Sequence, residues 1–273
     1  MICKIITSMT SKKISFIGTG KMATALISSI YNKQLAKTII ASDKNNKNLN
    51  NVKKNFGIKT IKDNKEAVRN SDVVFICVKP QDFDEVLHEI KNVVKNQLIV
   101  SIAAGIKTKH IESILGNKRI IRVMPNINCL VGEMAAGFSK GKFATKKDVD
   151  YVEKLLSASG LAYLVKEDLM DALSIISGCG PGFFAYFMKY LAEAGIKEGL
   201  PKQMAYKLAA KTALGTGKLL LEKNMSPDDL IAMVASKKGI TSEGLKVLNK
   251  HKVNKIIQKT SDAAYKRSKE LGK

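Results

Sequence analysis

The residues that most clearly could do chemistry stand near the start of the chain. Ile14-Ser15-Phe16-Ile17 is a short apolar run, and Gly18-Thr19-Gly20-Lys21-Met22-Ala23 follows it as G-x-G-x-x-A before a helical pattern. That spacing suits a pyrophosphate: Gly18 permits a tight turn, Gly20 lets the anion approach the backbone, and small Ala23 lets helix and strand pack closely. Amides at the head of the helix, where Lys21 and Met22 stand, then face the anion. Glycines also mark empty structural turns, but here strand, helix and further βαβ pattern surround the motif and point to a dinucleotide.

Asp43 closes the second apolar run about twenty residues after the glycines, where a carboxylate binds both ribose hydroxyls of NAD and repels a 2′-phosphate. Ser42, Lys44 and Lys47 pull the other way, because such groups can hold that phosphate. The balance leans to NADH, with NADPH open, and Asp43 reads equally well as a turn residue or helix cap.

A turn of this kind needs a sheet to hold it. Short β-branched runs at 14–17, 38–41, 73–78, 98–102 and 120–124 read as strands covered on both faces. Helical patterns at 22–32, 48–56, 65–69, 82–94 and 107–115 separate them, which is the alternation of an α/β parallel sheet. Beyond about Val165 only helical periodicity remains, at 169–176, 182–198, 202–223, 227–234, 242–248 and 253–271. Ser226-Pro227-Asp228-Asp229 reads as a helix start, and Leu200-Pro201 as a break between helices. The expected division is a Rossmann-like domain over 1–165 and an all-α domain over 166–273. The helix at 205–221 is apolar around much of its circumference, which suits burial between subunits.

Composition excludes several classes. The chain has 273 residues with 45% hydrophobic and 26% charged, so neither a disulfide mini-scaffold nor wholesale disorder fits. No apolar run is long enough to cross a bilayer, and no membrane partner is expected. Cys3, Cys77, Cys129 and Cys179 are far apart and form no C-x-x-C pair, so no metal site is expected and the chain reads as reduced and cytoplasmic. Residues 1–10 read as a loose tail, with Met9 a candidate true start. The net charge of +22 raises the question of nucleic acid. The lysines are dispersed, however, tryptophan is absent, and aromatics are only 6%, so base-stacking platforms are scarce and an anionic small molecule is the better partner.

The motifs also form a series. The glycine turn, Val78-Lys79-Pro80, Ser101-Ile102-Ala103-Ala104-Gly105, Arg122-Val123-Met124-Pro125-Asn126 and Ser177-Gly178-Cys179-Gly180-Pro181 occur in an order that resembles the pyrroline-5-carboxylate reductases. The likeness covers nearly the whole chain. It implies NAD(P)H-dependent reduction of 1-pyrroline-5-carboxylate to L-proline, the last step of proline biosynthesis. It further implies a C-terminal all-α dimerisation domain that interleaves with a second subunit, in a homodimer or a ring of dimers such as a decamer. On matching positions, Asn64 would approach the adenosine ribose, Val78, Lys79, Pro80, Ala103 and Ala104 would line the cofactor, and Asn126 would sit near the nicotinamide. Plainer readings stand beside these: Val78 and Ala103 as strand-end packing, Pro80 and Pro125 as strand stops.

The substrate end departs from the family. Its usual loop is V-x-S-P-G-G-T-T, whereas Val234-Ala235-Ser236-Lys237-Lys238-Gly239-Ile240-Thr241 has Lys-Lys in place of Pro-Gly, and Asn224 stands about where a Glu is common. Ser236, Gly239 and Thr241 match. The resemblance makes Ser236, Lys238, Gly239, Ile240 and Thr241 the substrate loop, whose amides can form a helix-start nest for a carboxylate. Thr241 is the candidate catalytic hydroxyl beside the imine nitrogen and also a candidate N-cap. Lys237 and Lys238 either add charge to that pocket or are solvated. His88, His110 and His251 receive no catalytic role. Alternatives are a reductase of another cyclic imine and a cofactor-binding regulator or RNA-binding protein without catalysis. A β-hydroxyacid dehydrogenase fits less well, because that family has Asn four residues after its catalytic lysine whereas Lys189 is followed there by Glu193.

Overall fold

A computed structural model describes residues 12–271; the tail expected over 1–10, with Cys3 and Met9, lies outside them. The first element is β1 (Lys13–Ile17), four of whose five residues are buried. Then follow α1 (Lys21–Asn32), β2 (Thr38–Ser42), α2 (Asn46–Phe56), β3 (Lys59–Ile61), α3 (Asn64–Arg69), β4 (Val73–Ile76), α4 (Pro80–Ile90), β5 (Leu98–Ser101), α5 (Thr108–Leu115) and β6 (Arg119–Met124). A short 3₁₀ turn leads to β7 (Met134–Lys140), α6 (Lys146–Ser157) and β8 (Gly160–Leu164).

Among the described residues eight strands form one sheet in the order β3-β2-β1-β4-β5-β6-β7-β8. Every pairing is parallel except β6 with β7. β4 and β5 are buried at every position, as strands covered by helices on both faces must be. Across β1 and β4 the rings of Phe16 and Phe75 stack at 4.7 Å between centroids. Helix ends follow local chemistry: the Asn45 side chain caps α2, Gly57 closes it in the left-handed region, and Asp63 caps α3 through two backbone amides.

The expected strands and helices of the first half are all present. Three strands and one helix went unpredicted. β3 has three residues, none fully buried, and β7 carries Ala135-Ala136-Gly137, too small to announce a strand. β8 is an edge strand with three of five residues exposed, so it lacks alternation. α6 did carry a signal, the reciprocal capping box of Thr145 with Asp148.

After β8 the chain runs through a 3₁₀ turn, α7 (Met170–Leu173) and a wide π turn (Ser174–Gly178), where a single helix over 169–176 was expected. Pro181 has no amide to return to Ser177, and the helical path widens over that stretch. The remaining helices are α8 (Gly180–Lys197), α9 (Lys202–Glu222), α10 (Pro227–Val234), α11 (Ile240–Lys250) and α12 (Val253–Leu271). Among the described residues no helix is long and apolar enough to cross a membrane.

The described residues divide into two compact units: 12–178 together with the last turns of α12 from Tyr265, and 179–264. The first unit extends past the 165/166 division expected from sequence, because 167–178 pack against the sheet and the helix that follows β5. Leu173 lies over Gly137 of β7, and Glu167 bonds to Thr108. The second unit has a thin core of its own, Ala192, Ala205 and Ala209 with Met188 and Ile196 against them. Phe184, Phe187, Leu208, Leu214 and Leu221 stay exposed, Leu221 by 74%.

Candidate active site

Gly18 follows β1 with φ +86° and donates its amide to the Ser42 carbonyl at the end of β2, 2.8 Å away. On the other side the Cys77 amide donates to the Ile17 carbonyl at 2.7 Å. The turn is therefore clamped between the ends of β2 and β4. A Cβ on Gly18 would come within 2.9 Å of the Cys77 carbonyl carbon and oxygen, so glycine is required by both conformation and space. Gly20 is the N-cap of α1, with no side chain capping the helix and open space where its Cβ would be. The amides of Lys21, Met22 and Ala23 thus have no intrahelical acceptor and sit at the positive end of the helix dipole. Those unsatisfied donors and the open approach over Gly20 fit the pyrophosphate of a dinucleotide.

Asp43 is committed to this turn. Its Oδ2 accepts from the Thr19 amide at 2.8 Å, the Thr19 hydroxyl at 2.9 Å and Asn48 Nδ2 at 3.0 Å, while Oδ1 accepts from the Asn45 amide at 2.8 Å. Burial alone would raise its pKa, but the hydrogen bonds from Asn45, Thr19 and Asn48 outweigh it and hold the carboxyl below its ordinary value. Next to it, the Ser42 hydroxyl donates to Asn64 Oδ1 at 2.6 Å, and Asn64 Nδ2 donates to Glu89 at 2.7 Å. Both ends of the Asn64 carboxamide are thereby engaged. Lys44 pairs with Asp82 of α4 at 3.1 Å, and Lys47 is exposed.

The other cofactor candidates follow the ends of the neighbouring strands. Val78 is half-buried, Lys79 is the N-cap of α4, and Pro80 is its first residue. Ala103 is buried and donates its amide to Ser101 Oγ at 3.3 Å, and Ala104 is exposed. Asn126 is buried and accepts from the Ala135 amide at 3.1 Å. Gly18, Gly20, Lys21, Met22, Ser42, Asp43, Val78, Lys79, Pro80, Ala103, Ala104 and Asn126 all stand at the carboxyl ends of β1, β2, β4, β5 and β6. The segment that leaves β1 runs toward β2 and the one that leaves the adjacent β4 runs the opposite way, toward β5, and that switch point is where open α/β sheets bind ligands.

The substrate candidates share one turn in the second unit. The Gly239 amide donates to the Ser236 carbonyl at 2.9 Å, closing Ser236-Lys237-Lys238-Gly239. Lys238 has φ +60°, so the position where the family pattern has glycine demands a left-handed residue, and lysine there costs roughly 1–2 kcal/mol. Gly239 is the N-cap of α11, again without a side-chain cap, which corrects the expectation that Thr241 caps this helix. Thr241 lies inside the first turn and is exposed, and Ile240 before it is 96% exposed. The amides of Ile240, Thr241 and Ser242 therefore open toward an anion. Upstream, Asn224 has φ +47° just beyond α9, a conformation that Asn tolerates better than Glu.

Comparison with known proteins agrees with this geometry. The family pattern described as pyrroline-5-carboxylate reductase dimerisation matches 167–271, and that described as NADP oxidoreductase coenzyme F420-dependent matches 13–105. Pyrroline-5-carboxylate reductase of Methanosarcina acetivorans is 38% identical over 97% of this chain and 100% of its own. The chain belongs to the pyrroline-5-carboxylate reductase family. Among solved structures, a pyrroline-5-carboxylate reductase from Coxiella burnetii matches with TM-score 0.92 and 32% identity, over 96% of this chain and 99% of that one. The Plasmodium falciparum pyrroline carboxylate reductase with NADP bound matches with TM-score 0.86 and 29% identity, over 97% and 100%. This reductase is thus an NAD(P)-dependent oxidoreductase with a Rossmann-like domain and a dimerisation domain.

Reading the sequence missed Thr19 and Asn48, whose side chains hold Asp43, because nothing in their spacing announces a bond between separate segments. Gly18→Ala is expected to weaken NADH and NADPH binding at least tenfold, since the Cβ pushes Cys77 away and forces the turn open. Cofactor titration followed by nicotinamide fluorescence checks this, and unchanged Kd values would refute it.

Proposed function

We propose that this reductase converts 1-pyrroline-5-carboxylate to L-proline with NADH or NADPH, as a cytoplasmic homodimer or a ring of dimers. The row of unsatisfied amides at the start of α1, in a chain of this family, carries the reading. The cofactor supplies the hydride that adds to the imine carbon. The protein's own residues bind, orient and hold a proton, so positioning accounts for most of the rate. The first turn of α1 takes the pyrophosphate, and the ends of β4, β5 and β6 present Val78, Lys79, Pro80, Ala103, Ala104 and Asn126 to the rest of the cofactor. The amides at the start of α11, with Ser236 and Lys238 beside them, take the substrate carboxylate. The Thr241 hydroxyl stands at the imine nitrogen, which must carry a proton as the carbon accepts hydride.

The exposed apolar side chains of α8 and α9, together with the match to a dimerisation family, support a second subunit over the helical unit. The separated free thiols of Cys77, Cys129 and Cys179 suit a reducing compartment.

An assay at 340 nm with 1-pyrroline-5-carboxylate and each cofactor in turn is expected to show substrate-dependent oxidation. Cofactor binding without turnover would show that the Lys237-Lys238 loop selects another cyclic imine. Thr241→Ala is expected to lower kcat about tenfold or more with cofactor Kd nearly unchanged, and equal activity would remove Thr241 from the mechanism. Asp43→Ser is expected to weaken NADH more than NADPH, because the charge that meets the ribose and repels a 2′-phosphate is gone. Equal loss for both cofactors would leave Asp43 as support for the turn alone.

A further inference from the structure

Arg122 opens the Arg122-Val123-Met124-Pro125-Asn126 motif. It lies in the middle of β6, only 5% exposed, paired in register with Ser101 of β5 and Ser139 of β7. A guanidinium so enclosed needs a carboxylate, and Glu167 supplies one at 3.3 Å from the segment that follows β8. Glu167 does more than neutralise it. Its Oε1 accepts the Thr108 amide at 2.8 Å, and its Oε2 accepts the Thr108 hydroxyl at 2.6 Å. Thr108 is the first residue of α5, whose N-cap Lys107 offers no side-chain bond. The helix is thus capped by a carboxylate 59 residues away in the sequence rather than by a neighbour.

That cap closes one end of the segment between β5 and α5, which carries Ala103, Ala104 and the left-handed Gly105. The other end is held by the Ala103 amide on Ser101 Oγ. Arg122 sits under both anchors, beside Ser101 through the strand register and against Glu167 through its side chain. A second carboxylate, Asp171, feels the charge of Arg122 and is bound to Ser268 at 2.8 Å and to Lys269 at 3.2 Å.

We infer that Glu167, braced by Arg122, is a positioning residue for the cofactor: by capping α5 it fixes the exit of the 102–107 loop against which the cofactor lies. This rests on the cofactor reading of Ala103 and Ala104. Removing the carboxylate leaves a buried amide, a buried hydroxyl and a buried guanidinium short of acceptors, and the loop is the element free to move in response.

The test compares cofactor Kd by nicotinamide fluorescence, KM for 1-pyrroline-5-carboxylate at saturating cofactor, and unfolding midpoints. Glu167→Ala is expected to raise the Kd of NADH and NADPH about tenfold, the size of one lost hydrogen bond to a charged group, with KM within about twofold. Glu167→Gln keeps an acceptor for one of the two Thr108 donors and is expected to show a smaller rise in the same direction, which carries the test if the alanine variant does not fold. Asp148→Asn is the control. It weakens another ion pair, half-buried Arg119 with buried Asp148 at 2.7 Å, at the amino end of β6, and should lower the unfolding midpoint without changing cofactor Kd. An unchanged Kd in both Glu167 variants, or an equal rise in Asp148→Asn, overturns the inference. Wild-type protein that binds neither cofactor overturns the reading beneath it instead.

Discussion

A strand buried on both faces can be joined to a parallel neighbour only by a crossover that passes over one face of the sheet, and such crossovers begin at the carboxyl edge. This constraint governs the first unit. β1, β2, β4, β5 and β6 are short, apolar and parallel, so the five segments that leave them open along one crest. Each segment carries a motif, and the sheet assembles into one row what the sequence scatters over more than a hundred residues. The glycine turn sits where the row divides, because the segment leaving β1 runs toward β2 and the one leaving its neighbour β4 runs the other way, toward β5.

Polar wiring along that crest has a consistent form. The backbone amides that face outward at Lys21 and Met22 are left without side-chain caps, whereas the side chains beneath them are bonded to one another. Asp43 gathers Thr19, Asn45 and Asn48, Ser42 joins Asn64 to the sheet, and Glu167 joins α5 to β6. Carboxylates shape the loops, while the helix-start amides of Lys21 and Met22 stay without a side-chain acceptor. Backbone donors bind an anion at little reorganisation cost only if something rigid stops the turn from closing on itself.

The helical unit follows a different rule. It keeps large apolar side chains on its surface and buries little more than alanines between α8 and α9. Water opposes that arrangement, which becomes favourable when another surface covers it. α11, with Gly239 at its N-cap and Thr241 in its first turn, belongs to this same unit.

Much of the first unit was legible in the sequence because β-branched runs, glycines and helix patterns are local signals with local causes. Ile14 to Ala23 alone specifies strand, turn and helix. β3, β7 and β8 were not legible, since their strand character comes from neighbours rather than from their own side chains. The motif series was enough to reach the reductase family, and Gly239 and Thr241 were placed on a helix start from sequence, although which of them caps it was not. Tertiary structure alone decided what Asp43, Asn64, Arg122 and Glu167 do. Their side chains reach partners in other segments, and a hydrogen bond across 24, 25 or 59 residues has no periodicity to betray it.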